Sequence, residues 1–492
     1  MDSIVRAICF VIAFVSITAI VTKMAIKSMR SDVMCSKPVP PVVNVITLLR
    51  LLPAIITTGL PATINYLYEN FGNVFTVSIF GRNMTFLIGP ELSQHFFHGM
   101  ESEISHGNLM DFTVPMLGQH VAYAVDSATR KQQRGFYIDA LTKPEALRSH
   151  VDPMLQEVEV YFSKWGQVGM VDLKHELGHL IMIISSRRLL GKEVRGKMFD
   201  EFYSLIHCVE KGFSFFSVIF PYIPIPAHNR RDRARVRLQE IFSEVIRSRR
   251  NSNLVEDDVI QKLIEAKYND GRCTTEEEVA GMVLSLLFGG EHTSSHASTW
   301  TGACLLNNAK WLSAAVEEQK KIIREYKETI DYNSLLEMDV LHRCIKEALR
   351  MHPTAPLLLR KAHKPFSVQT KQGNEYEIPA EHTVVVPLLT NTMMPSIFKD
   401  PHVYDPDRFA NPGRKEDKVG GRDSYVPFGS GRNACIGEGY VYLLLKIIWS
   451  HLLRNFELKL VSPYPKTDWS SFTPGPKGKV LVGYTRRHLH NA

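Results

Sequence analysis

The stretch Ser424-Tyr-Val-Pro-Phe-Gly-Ser-Gly-Arg-Asn-Ala-Cys-Ile-Gly-Glu-Gly439 places Cys435 in a glycine-rich loop directly before an apolar helical segment. Gly429, Gly431 and Gly437 allow the backbone to approach a large flat ligand and leave N–H groups that can point at sulfur. The start of a helix lowers the pKa of a thiol and favours the thiolate. A small buried cysteine in a turn is the alternative, and one cysteine alone does not decide between them.

Two other patterns precede this loop. Glu347 and Arg350 form E-A-L-R, an i,i+3 pair on one helix face. Tyr404-Asp-Pro-Asp-Arg-Phe409 follows, and its Arg408 could complete a buried Glu–Arg–Arg network. Each pattern is common alone. The order E-x-x-R, P-D-R-F, F-G-x-G-R-x-x-C-x-G is specific as a set.

A polar notch interrupts the long apolar segment from Thr275 to Asn307. Phe288-Gly-Gly-Glu-His-Thr-Ser-Ser295 contains two adjacent glycines, which cost roughly 2 kcal/mol of helix propensity relative to alanine. Thr275 followed by Glu276–Glu278 is a helix start signal, and the helix would run about 50 Å. A kinked core helix whose hydroxyls bond back to carbonyls is the alternative to a functional notch.

Together these motifs resemble the cytochrome P450 superfamily of haem-thiolate monooxygenases, and the resemblance covers the chain from its N-terminal apolar segment to its C-terminus. His292-Thr293 is similar to the sterol 14α-demethylase branch, and the runs 217–242 and 395–421 resemble plant obtusifoliol 14α-demethylases. The implied fold is mainly α with small β-sheets.

The resemblance implies haem b as the cofactor, with electrons from NADPH through a cytochrome P450 reductase. Cys435 would be the thiolate ligand of the haem iron, and Phe428 would pack beside it. The remaining cofactor-binding residues would be Gly429, Gly431, Arg432, Gly437, Arg360, Arg130 and Lys131. Asn433 stands where the family often has a cation, which weakens Arg432 as a propionate ligand. Glu347, Arg350 and Arg408 would hold the Cys loop without reacting.

On the distal side, the resemblance implies that Thr293 relays protons and that Gly289 and Gly290 make room for oxygen. His292 and Glu291 complete the predicted catalytic group. Glu291 departs from the family's glutamine, and could alter proton delivery or accept a hydrogen bond from a substrate hydroxyl. Gly289 departs from the family's alanine.

The substrate-facing positions depart further from the obtusifoliol enzymes. Leu109 and Leu117 replace aromatic residues, and Ser127 replaces a tyrosine. These departures predict a divergent relative that acts on another polycyclic isoprenoid. The resemblance to a grass branch of the family implies that it hydroxylates or epoxidises a β-amyrin-type triterpenoid in defence saponin synthesis. Obtusifoliol 14α-demethylation is the alternative. A haem sensor without turnover and a hydroperoxide isomerase are remote alternatives, since neither needs Thr293. The predicted pocket residues are Leu109, Phe112, Met116, Leu117, Val121, Phe213, Phe215, Ser217, Gly289, Glu291, Leu357, Leu358, Phe472 and Thr473.

The bulk composition agrees with a membrane-anchored enzyme. The chain has 492 residues, and its 58 Lys+Arg against 51 Asp+Glu is too mild an excess to suggest nucleic acid. Its 7 cysteines are scattered, without zinc spacing or a disulfide framework. Ala7–Thr22 carries no charge and is followed by lysines, which predicts an anchor with the catalytic domain in the cytosol. A cleaved signal peptide is the alternative.

We therefore expect an anchor over 1–24, a basic and Pro-rich linker over 25–45, and a haem domain over 46–492 at the endoplasmic reticulum membrane. Periodicity predicts a hairpin around Gly81 and strands within 366–389 and 479–484. Helices are predicted over 236–249, 258–267, 311–326 and 332–350.

Overall fold

The computed structural model describes residues 37–44, 46–48, 50–51, 59–79, 81–212, 217–218, 220–252, 255–327, 329–410, 423–469, 471, 473–487 and 489. The predicted anchor and most of the predicted linker lie outside this range. So do three of the predicted pocket residues, Phe213, Phe215 and Phe472. None of the described helices combines the length and apolar character needed to cross a bilayer.

Helices make up most of the described chain. In chain order they are α1 (Leu60–Phe71), α2 (Gln94–His98), α3 (Val114–Leu117), α4 (Ser127–Leu141), α5 (Pro144–Ser163), α6 (Leu173–Ser185), α7 (Lys192–Lys197), α8 (Phe199–Lys211), α9 (Pro226–Ser252), α10 (Val259–Glu265), α11 (Glu276–Leu306), α12 (Ala309–Tyr326), α13 (Tyr332–Leu336), α14 (Asp339–Met351), α15 (Leu388–Thr392) and α16 (Glu438–Asn455). A π-helical turn, Ser186–Leu190, follows α6.

The helix α11 has 31 residues and occupies the segment that was predicted to form one long helix. Thr275 and Glu278 form a capping box at its start, which satisfies two amides that would otherwise lack partners. Its C-terminal half is buried and packs against α16, where the indole of Trp449 donates to the carbonyl of Ser298 at 3.2 Å. Gly302 allows this contact, because a Cβ there would overlap the Trp449 ring.

The strands form small sheets beside the helices. They are β1 (Val42–Val43), β2 (Val74–Ile79), β3 (Arg82–Leu87), β4 (Ile104–Ser105), β5 (Val168–Asp172), β6 (Leu357–Ala362), β7 (Phe366–Gln369), β8 (Glu375–Ile378), β9 (Thr383–Pro387), β10 (Phe456–Leu460), β11 (Thr467–Asp468), β12 (Gly475–Pro476) and β13 (Leu481–Arg486). Among the described residues the largest sheet has the order β1-β2-β3-β9-β6-β4. Its strand β6 carries Arg360, paired with Val384 of β9.

The predicted hairpin, the other strand regions and the predicted helices are confirmed in place, but some bounds differ. The helix predicted over 236–249 already begins at Pro226, and the strand region predicted to reach 389 ends at Pro387, where α15 follows. The segment 332–350 was predicted as one helix but is divided into α13 and α14. The carboxylate of Glu318 accepts from the amides of Val340 and Leu341 at 2.6 and 3.0 Å. Glu318, on α12, therefore caps the start of α14, which lies inside the single helix that was predicted over 332–350.

Candidate active site

The Cys435 loop closes through backbone hydrogen bonds. The N–H of Cys435 donates to the carbonyl of Phe428 at 2.7 Å, and the amides of Gly437 and Glu438 hydrogen-bond to its sulfur. Burial raises the pKa of the thiol, while these amides and the guanidinium of Arg134 oppose that rise. The cysteine is still exposed, so a ligand can reach its sulfur.

A glycine fixes the loop against α2. Gly431 has φ +69°, and a Cβ there would overlap the carbonyl of Phe97. Only glycine satisfies both conditions without strain. The Nε2 of His98, at the end of α2, lies 3.0 Å from the buried carboxylate of Asp423. The segment that enters the loop is therefore held at two points.

Glu347, Arg350 and Arg408 form one buried network, with side chains at most 1% exposed. Arg350 donates to both carboxylate oxygens of Glu347 at 2.8 and 2.9 Å. Arg408 donates to one of them at 3.1 Å. Next to Glu347, the carbonyl of Lys346 accepts from the hydroxyl of Tyr425 at 2.9 Å. The network therefore lies beside the segment that leads into the Cys loop.

The notch in α11 is open. A Cβ at Gly289 or at Gly290 would find no neighbour within 4 Å, whereas most of the C-terminal half of the helix is buried. The hydroxyl of Thr293 donates to the carbonyl of Gly289 at 2.8 Å. The back-bonding considered from the sequence is thus present, and it leaves the hydroxyl oxygen able to accept a further hydrogen bond.

His292 lies between two carboxylates. Its Nε2 is 3.1 Å from Glu210 on α8, and its Nδ1 is 3.0 Å from Glu291. Burial lowers the pKa of His292, but the hydrogen bonds and charges of these carboxylates outweigh it and raise the pKa to about 10. His292 is therefore an imidazolium at neutral pH.

Arg360 is at the centre of a cationic cluster. It is 7% exposed, and its Nη1 donates to Nε2 of His106 at 2.6 Å. Its Nε is buried without a hydrogen-bond partner in the described structure. Burial, together with the neighbouring charges of Arg432 and Arg130, lowers the pKa of Arg360 to about 10. Burial and the arginines lower the pKa of His106 to about 3, so this ring is a neutral acceptor.

The other predicted propionate ligands have different surroundings. Arg130 donates to Glu101 at 2.6 Å, and Lys131 is exposed on the same helix. Arg432 donates to the carbonyl of Gly99 and lies 3.7 Å from Glu101. Arg130 and Arg432 thus share one carboxylate, whereas Lys131 extends toward solvent.

These residues fit haem. The sulfur of Cys435 is accessible, and the glycines of its loop carry no side chains that would block a flat ligand. The helix α11 has open space at Gly289. The cluster around Arg360 has excess positive charge and a buried donor without a partner, which suits the carboxylates of a propionate-bearing macrocycle. Of the residues that would hold it, only Lys131 has no contact that places it in the cluster.

The predicted pocket residues are distributed over several surfaces. Phe112, Met116 and Val121 are buried, and the carbonyl of Leu117 and the side chain of Val121 touch α11 at Gly281. Beside them a cavity of about 270 Å³ lies between α3, α9 and α11. Its lining residues are Val114, Pro115, Leu117, Gly118, Gln119, His120, Tyr222, Arg235, Gln239, Glu277, Ala280, Gly281 and Leu284.

Other predicted pocket residues lie elsewhere. Leu109 and Thr473 are half-buried. Leu357 and Leu358 pack in two separate clusters around the largest sheet. The hydroxyl of Ser217 bonds to the carbonyl of Gly212 at 2.8 Å and to His228 at 2.9 Å.

The sequence did not point to Glu210, His106, Tyr123 or Arg134. The rings of Tyr123 and His106 meet edge to face, with their centroids 4.9 Å apart. Arg134 donates to the carbonyl of Ala434, the residue before Cys435, at 2.5 Å. Its i+4 spacing from Arg130 was the one available signal.

Comparisons with known proteins agree with the geometry. The cytochrome P450 family model matches residues 38–482. The chain is 52% identical over 422 residues to an obtusifoliol 14-alpha demethylase of Sorghum bicolor, which covers 86% of this chain and 85% of that protein. It is 50% identical to a sterol 14-demethylase of Arabidopsis thaliana, with 86% of each chain covered.

Among solved structures, the retinoic acid-bound cyanobacterial CYP120A1 has a TM-score of 0.78 at 21% identity, over 92% of this chain and 100% of that chain. That likeness shows the fold. The chain belongs to the cytochrome P450 family and, within it, to the sterol 14α-demethylase family.

Proposed function

We propose that this cytochrome P450 monooxygenase removes the 14α-methyl group of an obtusifoliol-type sterol, with O2 and with electrons that a reductase delivers from NADPH. The observation that carries the proposal is the identity of 52% and 50% to proteins named for this demethylation, over 86% of the chain. The retained His292-Thr293 pair on α11 agrees with it. The relatives thus favour the sterol over the β-amyrin-type substrate expected from the sequence.

When bound through Cys435, haem supplies oxygen activation. The protein's part is to hold the cofactor, exclude bulk water and supply protons. The hydroxyl of Thr293 donates its hydrogen bond to the Gly289 carbonyl. Its oxygen can therefore accept a hydrogen bond from water in the notch. The imidazolium of His292 holds a proton between Glu291 and Glu210. We infer that His292 passes one of its protons to this water and that the Glu210 carboxylate then relays a replacement proton from solvent to the ring.

A second candidate is hydroxylation or epoxidation of a β-amyrin-type triterpenoid. It is supported by the cavity beside Leu117, where the family has an aromatic residue, and by the open space at Gly289. Less bulk at either of these positions suits a larger or differently shaped polycycle. The Glu291 carboxylate, which can accept several hydrogen bonds, could then accept one from a substrate hydroxyl while it stays beside His292.

The site of action would be the endoplasmic reticulum membrane, with the catalytic domain in the cytosol. This proposal rests on the uncharged segment Ala7–Thr22 and the lysines that follow it. An apolar polycyclic substrate that partitions into lipid agrees with such a location.

Coexpression with a plant reductase tests these proposals. One host supplies obtusifoliol and another supplies β-amyrin, and products are identified by mass spectrometry. A 14-demethylated sterol supports the first proposal, whereas oxygenated β-amyrin alone supports the second. If no sterol or triterpene stimulates NADPH consumption, a haem sensor or a hydroperoxide isomerase becomes the better interpretation.

A further inference from the structure

We propose that Arg134 is a positioning residue for the thiolate ligand, which locks the peptide group before Cys435 and favours the reduced iron. The proposal rests on the haem-thiolate chemistry of the family and is independent of which polycycle is oxidised. It concerns a residue on α4 that none of the sequence motifs includes.

The contact is specific in both partners. The Nη2 of Arg134 donates to the carbonyl of Ala434 at 2.5 Å, across 300 positions of sequence. The N–H of the same peptide group belongs to Cys435 and donates to the carbonyl of Phe428 at 2.7 Å. The peptide group that precedes the ligand is therefore held at its oxygen by a charged donor and at its nitrogen by the loop itself.

The charge of Arg134 is not offset by a close acid. Arg130, one turn earlier, donates to Glu101 at 2.6 Å. In the part of the chain that the structure describes, no carboxylate oxygen lies within 4.0 Å of a nitrogen of Arg134. Burial lowers the pKa of Arg134 from its ordinary value, but its guanidinium remains protonated at neutral pH. A full positive charge therefore lies beside the Cys loop, and a short, charge-assisted hydrogen bond to the Ala434 carbonyl holds it there.

Two effects follow from this arrangement. A fixed peptide group restricts how far the sulfur can move, which keeps it in place as a ligand. A nearby positive charge stabilises whichever state carries more negative charge. Addition of one electron to the ferric haem-thiolate makes the site more negative, so Arg134 shifts the one-electron equilibrium toward the ferrous form.

The test uses the full chain, produced with haem, and the variants Arg134→Met and Arg134→Lys. Lys164→Met is the matched control, because it removes one positive charge from an exposed position at the end of α5. The readouts are the midpoint potential of the haem and the Soret band of its reduced carbon monoxide complex. That band distinguishes thiolate from thiol ligation.

Arg134→Met is expected to shift the ferric–ferrous equilibrium toward ferric by about tenfold, which is about 59 mV for a one-electron couple. It should also increase the fraction of the thiol-ligated form. Arg134→Lys should lie between this variant and the wild type, and Lys164→Met should match the wild type.

Wild-type values of both readouts in Arg134→Met would overturn the proposal and leave Arg134 as a packing contact. If Arg134→Met does not retain haem, Arg134→Lys decides. A lower potential or more thiol-ligated haem in Arg134→Lys supports the proposal, and unchanged values contradict it. Neither result depends on sterol or triterpene turnover, so the proposed function and this inference can fail separately.

Discussion

The ring of His292 connects α11 to α8, because its Nε2 lies 3.1 Å from Glu210 Oε1. The second nitrogen of the same ring lies 3.0 Å from Glu291. Burial would lower the pKa of His292, but the two carboxylates raise it to about 10. His292 is therefore an imidazolium beside Thr293 at neutral pH, and two carboxylates flank its charge.

Glu210→Gln should make protein stability less dependent on pH. The pKa of His292 is raised above its ordinary value of 6.5, to about 10. The ion pair therefore stabilises the fold fully below pH 6.5, and this contribution is lost as pH rises toward 10. The side chain is 41% exposed, so we expect a difference from wild type of about 1 kcal/mol at neutral pH.

Urea unfolding across this pH range measures the effect. Glu201→Gln is the matched control, since it breaks an exposed pair with Arg237, a guanidinium that stays protonated over this range. The measured quantity is the difference in the free energy of unfolding between the wild type and Glu210→Gln. If this difference stays constant up to pH 10, the assignment of the charge to His292 is wrong.

Glu347→Gln should destabilise the protein by about 3–5 kcal/mol, because two buried arginines lose their counter-charge. Both guanidinium groups are at most 1% exposed and cannot regain water without unfolding. The free energy of unfolding and the haem content should fall together, as the network lies beside the segment entering the Cys loop. Glu317→Gln breaks an exposed pair with Lys320 and should change stability by less than about 0.5 kcal/mol. Similar losses in both variants would refute a special role for the network.

The sequence predicted features whose determinants lie within a few residues. The capping box at Thr275, the glycine-rich Cys loop and the i,i+3 pair of Glu347 and Arg350 are all of this kind. The division between α13 and α14 was missed, because the Glu318 cap comes from another helix.

The electrostatics of the site depends on pairs that are remote in sequence. His106 and Arg360 are 254 positions apart, and Arg134 and Ala434 are 300 positions apart. No periodicity links such residues, so they follow only from the packing of α4, β6 and the Cys loop. The choice between sterol and triterpenoid is harder still, since it depends on the shape of the pocket surface as a whole.

Gly289→Ala should be tolerated by the fold and should alter substrate preference. A Cβ there meets open space, and alanine improves helix propensity by about 0.8–1 kcal/mol. The added methyl narrows the distal space, so the ratio of products from sterol and triterpenoid hosts should shift toward the sterol.

Gly302→Ala on the same helix is the contrasting substitution. Its Cβ would overlap the Trp449 ring, and overpacking of this kind destabilises by about 1–3 kcal/mol. Thermal unfolding of the two variants should therefore move in opposite directions. A Gly289→Ala variant that loses stability like Gly302→Ala would mean that the notch is filled by protein atoms.

Thr293→Ala should uncouple NADPH consumption from product formation. The hydroxyl of Thr293 bonds to the carbonyl of Gly289 at 2.8 Å and can also accept from water. Loss of a positioned proton relay costs about 10²-fold or more in rate, while substrate binding should change little. The measurement is product formed per NADPH consumed, with Thr293→Ser expected to restore most of it.

Thr299→Ala is the control that distinguishes a proton-relay role of the Thr293 hydroxyl from its hydrogen bond to the helix backbone. Thr299 lies on α11 and donates to the carbonyl of Ser295 at 2.8 Å, with the same i−4 geometry, but its side chain is fully buried. If back-bonding to the helix is what matters, both alanine variants lose stability and coupling alike. If the oxygen facing the notch moves protons, only Thr293→Ala loses coupling, and the loss is present even where its free energy of unfolding equals that of the wild type.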